Sequence, residues 1–273
     1  MRIYVLCDLE GVSGLTAREQ AWFWEASSTA QAHAEARRLI TDELNAAVTT
    51  ALRAGADNVV ARDCHHGGGN VLPSDLVSDP RVAYEAKRFP WQIAPGLDES
   101  FDGLILLGHH AKAGTNDSFL PHTWSTHWLD FRINGLSVGE IGIEACYAAH
   151  WNVPVILVQG DEACCAEAAA LLAGVVTAPV KRAQSFDRAA GLDAEGGRAL
   201  TGERIAEAMR KAAARQLEPF QVRLPMTVQI LMRTAQSAES AAQRPGVRRL
   251  DPRTVEAQVE RQCDVLKWIV EQV

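Results

Sequence analysis

Short, almost wholly apolar runs separated by helix-forming stretches constrain the fold of this chain more than any other feature. Residues 2–7 (RIYVLC), 58–61 (NVVA), 103–108 (GLILLG) and 153–160 (VPVILVQG) have the length and composition of strands buried on both faces. Residues 31–54 carry Ile40, Leu44, Ala47, Val48 and Ala51 on one stripe at spacings of three and four, and Gly55 follows as a stop. A second helix is expected over IGIEACYAAHW (141–151). Asp161 caps a third over EACCAEAAALLA, which ends at Gly174. Strands that alternate with helices, and are apolar along their length, specify an α/β fold: a mostly parallel central sheet flanked by helices.

The last third reads differently. There TVQILMR (227–233) reads as a strand, and TVEAQV (254–259) alternates like one, with a helix starting at Asp251-Pro252 as its competitor; earlier in the chain the Asn134-Gly135 pair inside WLDFRINGLSVGE marks a hairpin. A terminal helix is expected over about 260–272. The expected organisation is an α/β catalytic domain over 1–217, followed by a smaller α+β portion over 218–273.

Three of the apolar runs stop at ligand-type residues: Asp8 and Glu10, His65 and His66, His109 and His110. In open α/β sheets ligands bind outside the carboxyl ends of the strands, so segments far apart in sequence converge there. Asp8 and Glu10 are two apart, so an extended backbone would send both side chains from one face. Two adjacent carboxylates disfavour each other's ionisation, and a cation removes the conflict. Each piece has a plain alternative, since acids at strand ends are usually solvated and one of two neighbouring histidines usually points away. Taken together, carboxylate plus imidazole suits zinc, manganese, cobalt or iron in a catalytic site better than a structural zinc knot, which favours thiolates.

GLSVG at 135–139 matches the G-x-S-x-G nucleophile elbow of serine hydrolases. The order of partners fails: after Ser137 the only histidine is His150, which precedes the next aspartate, Asp161. A metal-independent serine hydrolase is therefore disfavoured.

Composition adds exclusions. Lys+Arg is 27 against 34 for Asp+Glu, a formal charge of −7, which argues against nucleic acid as a partner. No apolar run has the roughly 18–20 residues of a membrane span. MRIYVL stops short of the apolar core of an export signal, so the expected location is the cytoplasm. The six cysteines contain no C-x-x-C pair and are expected as reduced thiols.

DLEGVSG, DCHHGGGN, LGHHAKAG, PHTWS and INGLSVGEIGIEACYAAHWNVPVILVQGDE, in this order and spacing, resemble the DppA-type zinc-dependent D-aminopeptidases, the self-compartmentalising metallopeptidases. The likeness is clear over about residues 1–185 and fainter through VRLPMTVQI and TVEAQV. It implies a metal-dependent aminopeptidase that removes N-terminal residues, D-amino acids by the family's preference, from short peptides, with two zinc ions per subunit. An L-aminopeptidase, a dipeptidase, another metal-dependent amidohydrolase or a non-catalytic peptide-binding metalloprotein would be the alternatives on the same metal core. It implies the metal ligands Asp8, Glu10, His65, His110 and Glu140. His122 is implied as the catalytic residue, with nucleophile, proton shuttle and oxyanion stabiliser left open. Cys64 stands where the family has serine. The resemblance also implies a homo-oligomer of pentameric rings stacked into decamers. Trp22, Trp24, Trp91, Trp124 and Trp128 would suit interfaces, pocket walls or the core.

Overall fold

The structure is a computed structural model that describes residues 1–85 and 92–270; Trp91 lies outside them. Along the chain run β1 (Arg2–Cys7), α1 (Arg18–Ala21), α2 (Ala30–Arg53), β2 (Asn58–Asp63), β3 (Val82–Glu85) and β4 (Gly103–His109). The middle contains β5 (Trp128–Ile133), β6 (Leu136–Val138), α3 (Glu140–Ala149), β7 (Val155–Asp161) and α4 (Glu162–Leu171). Then follow β8 (Val176–Ser185), β9 (Arg188–Gly191), α5 (Ala194–Ala213), β10 (Met226–Met232), α6 (Ala235–Ala241), β11 (Arg248–Arg249) and β12 (Thr254–Val259).

The seven-stranded central sheet has the order β3-β2-β1-β4-β7-β8-β9. It is parallel except for its last pair, β8 with β9. Side chains of β1 alternate between two cores. Ile3, Val5 and Cys7 join Ile40, Leu44 and Val48 of α2, with Ile205 and Met209 of α5. Tyr4 and Leu6 join Leu104, Leu106, Ile141 and the second sheet. Burial on both faces is why these strands lack the polar alternation of a half-exposed sheet.

The smaller sheet is antiparallel, with the order β11-β12-β10-β5-β6. Its β5–β6 hairpin turns at Asn134 (φ 49°) and Gly135 (φ 84°), the left-handed pair that a two-residue hairpin requires. β10 pairs with β5 in the register Val228 to Ile133 and Ile230 to Phe131. The C-terminal strands therefore complete a sheet whose first hairpin comes from the middle of the chain. The position at 217 falls in the connection between α5 and β10.

The expected terminal helix is not formed among the described residues. Residues 262–264 make one 3₁₀ turn, and Val265, Lys267 and Ile269 continue through i,i+3 bonds. Val265, Leu266 and Ile269 are buried along these turns. All six cysteines are free thiols.

The sheet order reverses between β1 and β4: β2 and β3 extend one way from β1, and β7 and β8 the other way from β4. This switch point opens a crevice at the carboxyl ends of the two central strands. The ends are drawn together there. The Gly11 amide donates to Gly108 O at 2.7 Å. A Cβ on Gly11 would lie 2.2 Å from His109 O, and one on Gly108 2.1 Å from Asp8 O. Only glycine permits this approach of the loops that carry the acids and the histidines.

Candidate metal centre

β1 stops at Cys7, and the chain then turns, with the Val12 amide donating to Leu9 O at 3.1 Å. Asp8 and Glu10 therefore converge through a tight turn, where an extended strand was expected. β2 delivers His65 in the 3₁₀ turn that follows it. β4 delivers His110, and the hairpin with the first turn of α3 delivers Glu140. His122 comes from the loop between β4 and β5.

Among the described residues two groups of ligand atoms form, each with its members within 4.8 Å of one another: Asp8, Glu10 and His65, and His110, His122 and Glu140. All six predicted site residues thus meet at the crevice. His110 joins the groups, its Nε2 lying 3.5 Å from Asp8 Oδ2 and 3.3 Å from Glu140 Oε1. His65 Nε2 is 3.4 Å from Glu10 Oε1. Asp8, Glu10, His65, His122 and Glu140 line a cavity of about 560 Å³ whose rim includes Trp24 and Trp124.

These separations are long for a charged hydrogen bond, which lies near 2.7–2.9 Å. They match the edge of a zinc coordination tetrahedron, about 3.3 Å for ligands at 2.0–2.1 Å. Glu10 Oε2, His110 Nε2 and both ring nitrogens of His65 are buried with no hydrogen-bond partner. Polar atoms left so in a protein interior are costly, and a shared cation satisfies them together. The donor set of oxygens and imidazoles fits zinc.

The electrostatics agree. Burial, then the neighbouring Glu10 carboxylate, push Asp8 well above the usual carboxylate range. Burial would raise Glu10 too, but the imidazoles of His65 and His110 outweigh it and hold Glu10 well below. Burial likewise opposes ionisation of Glu140, while His110 and His122 bring it to about 2. His122 is pushed down from 6.5 by burial and by His110 beside it.

A family model described as D-aminopeptidase matches residues 1–270. The chain belongs to the D-aminopeptidase family. This family member is a metal-dependent aminopeptidase in class. It is 30% identical to a D-aminopeptidase of Bacillus subtilis (strain 168) over 221 residues, which cover 80% of this chain and 78% of the relative. A solved structure, the Zn-dependent D-aminopeptidase DppA from Bacillus subtilis, a self-compartmentalizing protease, superposes with a TM-score of 0.90. That match is 27% identical in sequence and covers 98% of this chain and 95% of that one.

Around its ligand groups the aminopeptidase builds a shell that its motifs did not announce. Trp22 donates its indole N–H to Glu10 Oε1 at 2.9 Å and sets its ring edge-on to His122 at 5.6 Å. Buried Lys181 of β8 donates to the carbonyls of Glu10, Val12 and Leu15 at 2.8, 2.6 and 2.6 Å, which fixes the acid-bearing turn. Burial draws its pKa down to about 7, yet three carbonyl acceptors match the full donor count of an ammonium. Asp63 and Asn70 close the GGG loop: Asn70 Nδ2 donates to Asp63 Oδ1 at 2.9 Å and to His65 O at 2.7 Å.

The other histidines divide. His109 turns away from the cavity into the core, 2.6 Å from Glu144. His66 lines the cavity and stacks on Trp24 with ring centroids 4.6 Å apart. Trp24 itself is 47% exposed at the mouth. Cys64 also lines the cavity, but its thiol lies against Cys7 O at 3.4 Å, and burial pushes it well above 9. Ser137 Oγ accepts from Lys112 at 2.7 Å and donates to Asp130 at 2.6 Å, so its hydroxyl proton is engaged by a carboxylate and not by an imidazole base.

Proposed function

We propose that this enzyme hydrolyses the N-terminal peptide bond of short peptides, with preference for D-residues, at a site that holds two zinc ions. The observation that carries this reading is the spacing of buried acids and imidazoles at 3.3–3.5 Å around orphaned polar atoms. Asp8, Glu10 and His65 would hold one ion, His110 and Glu140 the other, with Asp8 near enough to His110 to serve both. Zinc there supplies a Lewis acid for the scissile carbonyl and lowers the pKa of water toward neutrality.

His122 is the group of this chain suited to move a proton or attack the substrate. Its Nδ1 lies 3.0 Å from Leu120 O, and a carbonyl can only accept, so Nδ1 carries the hydrogen. The neutral ring then presents a lone pair at Nε2, 3.7 Å from Glu140 Oε1 and toward the cavity. That tautomer suits a base or nucleophile, and the ring once protonated at Nε2 could donate to an oxyanion, so all three roles stay open. A second reading rests on the grouping of His122 with His110 and Glu140 within 4.8 Å: His122 as a further metal ligand. Zinc analysis of His122→Ala separates the two, because loss of turnover with zinc retained supports the first and loss of zinc the second.

The self-compartmentalizing relative supports assembly of this chain into a homo-oligomer, and we extend the reading to stacked rings making a decamer. No described helix is long and apolar enough to cross a membrane; a cytoplasmic location belongs to the same proposal.

The test is hydrolysis of matched D-Ala and L-Ala dipeptides before chelation, after it, and with zinc restored. Chelator-sensitive cleavage of the D form supports the proposal. Faster cleavage of the L form overturns the stereochemical part, and cleavage that survives chelation overturns the metal part.

A further inference from the structure

His110 and Glu140 arrive on separate segments, yet their ligand atoms stand 3.3 Å apart. One carboxylate accepts hydrogen bonds from both segments. Glu167 of α4 extends back to the strand ends. Its Oε2 accepts from the Lys112 amide at 2.7 Å, and its Oε1 accepts from the Gly139 amide at 3.2 Å. Lys112 is two residues past His110, and Gly139 immediately precedes Glu140 and caps α3. A Cβ on Gly139 would lie 2.7 Å from Glu167 Oε1 and 2.8 Å from the Lys112 Cβ, so the glycine is what admits the bridge. Glu167 lies in none of the ligand groups and lines no part of the cavity.

We propose that Glu167 is a positioning residue for the His110–Glu140 half of the metal centre, setting the distance between these two ligands without touching zinc or substrate. The inference rests on the two-zinc reading. The Asp8–Glu10–His65 half has supports of its own in Lys181, Trp22 and Asn70. Loss of Glu167 should therefore act mainly on the His110–Glu140 half, the half its two hydrogen bonds reach. A general structural role would weaken both halves and the apo fold together. Groups that orient metal ligands typically account for 10–100-fold in metal affinity.

The experiment is a zinc titration of the full chain against a chromogenic chelator, for the wild type, Glu167→Ala, Glu167→Gln and the exposed-site control Glu162→Gln. Apo melting temperatures are measured alongside. The expected result is that Glu167→Ala lowers the affinity of one ion tenfold or more and leaves the other within twofold. Its apo melting temperature should lie close to that of the control. Glu167→Gln keeps one acceptor and should fall between Ala and wild type. Two ions bound as tightly in Glu167→Ala as in the wild type would overturn the proposal. So would equal weakening of both ions with a matching fall in apo melting temperature. Wild-type protein that binds a single ion would sink the two-zinc reading instead. The Glu167 role then stands if Glu167→Ala still lowers that affinity tenfold, and falls if it does not.

Discussion

His122 lies face to face on His110, with ring centroids 4.0 Å apart and planes within 11°. The contact places the proposed catalytic imidazole directly on a proposed metal ligand. Burial disfavours protonation of His122, and so does positive charge on the His110 side, whether on that imidazole or on the zinc it would hold, so its pKa is lowered from 6.5. A lowered histidine pKa keeps the neutral, reactive form present down to more acidic pH. The acid limb of the kcat/KM profile should therefore lie below pH 6.5, with activity lost as pH falls through it. A profile with its acid limb above pH 7 contradicts this assignment.

Removing the ring should abolish turnover. His122→Ala is expected to lower kcat by about 10²–10⁴-fold, the usual contribution of a general base, while zinc content stays that of the wild type. Metal analysis beside steady-state kinetics checks both halves of the statement.

Lys181→Met would leave three buried carbonyls without their shared donor. Val12 O keeps the Leu15 amide at 3.2 Å, so two of the three are abandoned; at about 1–3 kcal/mol each, the variant should lose about 2 kcal/mol or more of stability. Denaturant melts read that loss. An unchanged midpoint would mean that the acid-bearing turn holds without the ammonium.

Ser137→Ala should keep chelator-sensitive turnover. The hydroxyl bridges Lys112 and Asp130 on the hairpin, and no histidine reaches it. Abolished turnover in a folded, zinc-replete Ser137→Ala protein would return the G-x-S-x-G serine to the mechanism.

The central sheet was legible because β1, β2, β4 and β7 are buried on both faces and carry an apolar run through most of their length. The ligand positions were legible because acids and histidines follow directly where those runs stop. Lys181 was not, since it is the first of two adjacent cations within VTAPVKRAQS, with nothing to mark it as the buried one, and the pattern and Pro179 suggest a weak strand at best. Glu167 looked like one more acid in an alanine-rich helix, and its bond partners are backbone amides that carry no side-chain signature. α5 was missed because Gly196, Gly197 and Gly202 lower helix propensity, and packing against α2 overrides that. The second sheet required pairing β5 with β10, a contact that local periodicity does not encode.

The most direct measurement is the zinc content per chain of purified protein, set against its rate of D-Ala dipeptide hydrolysis as metal is withdrawn and returned. Two zinc ions per chain, with activity that disappears on chelation and recovers with zinc, are what the geometry predicts. Full activity in metal-free protein would contradict the account at its root.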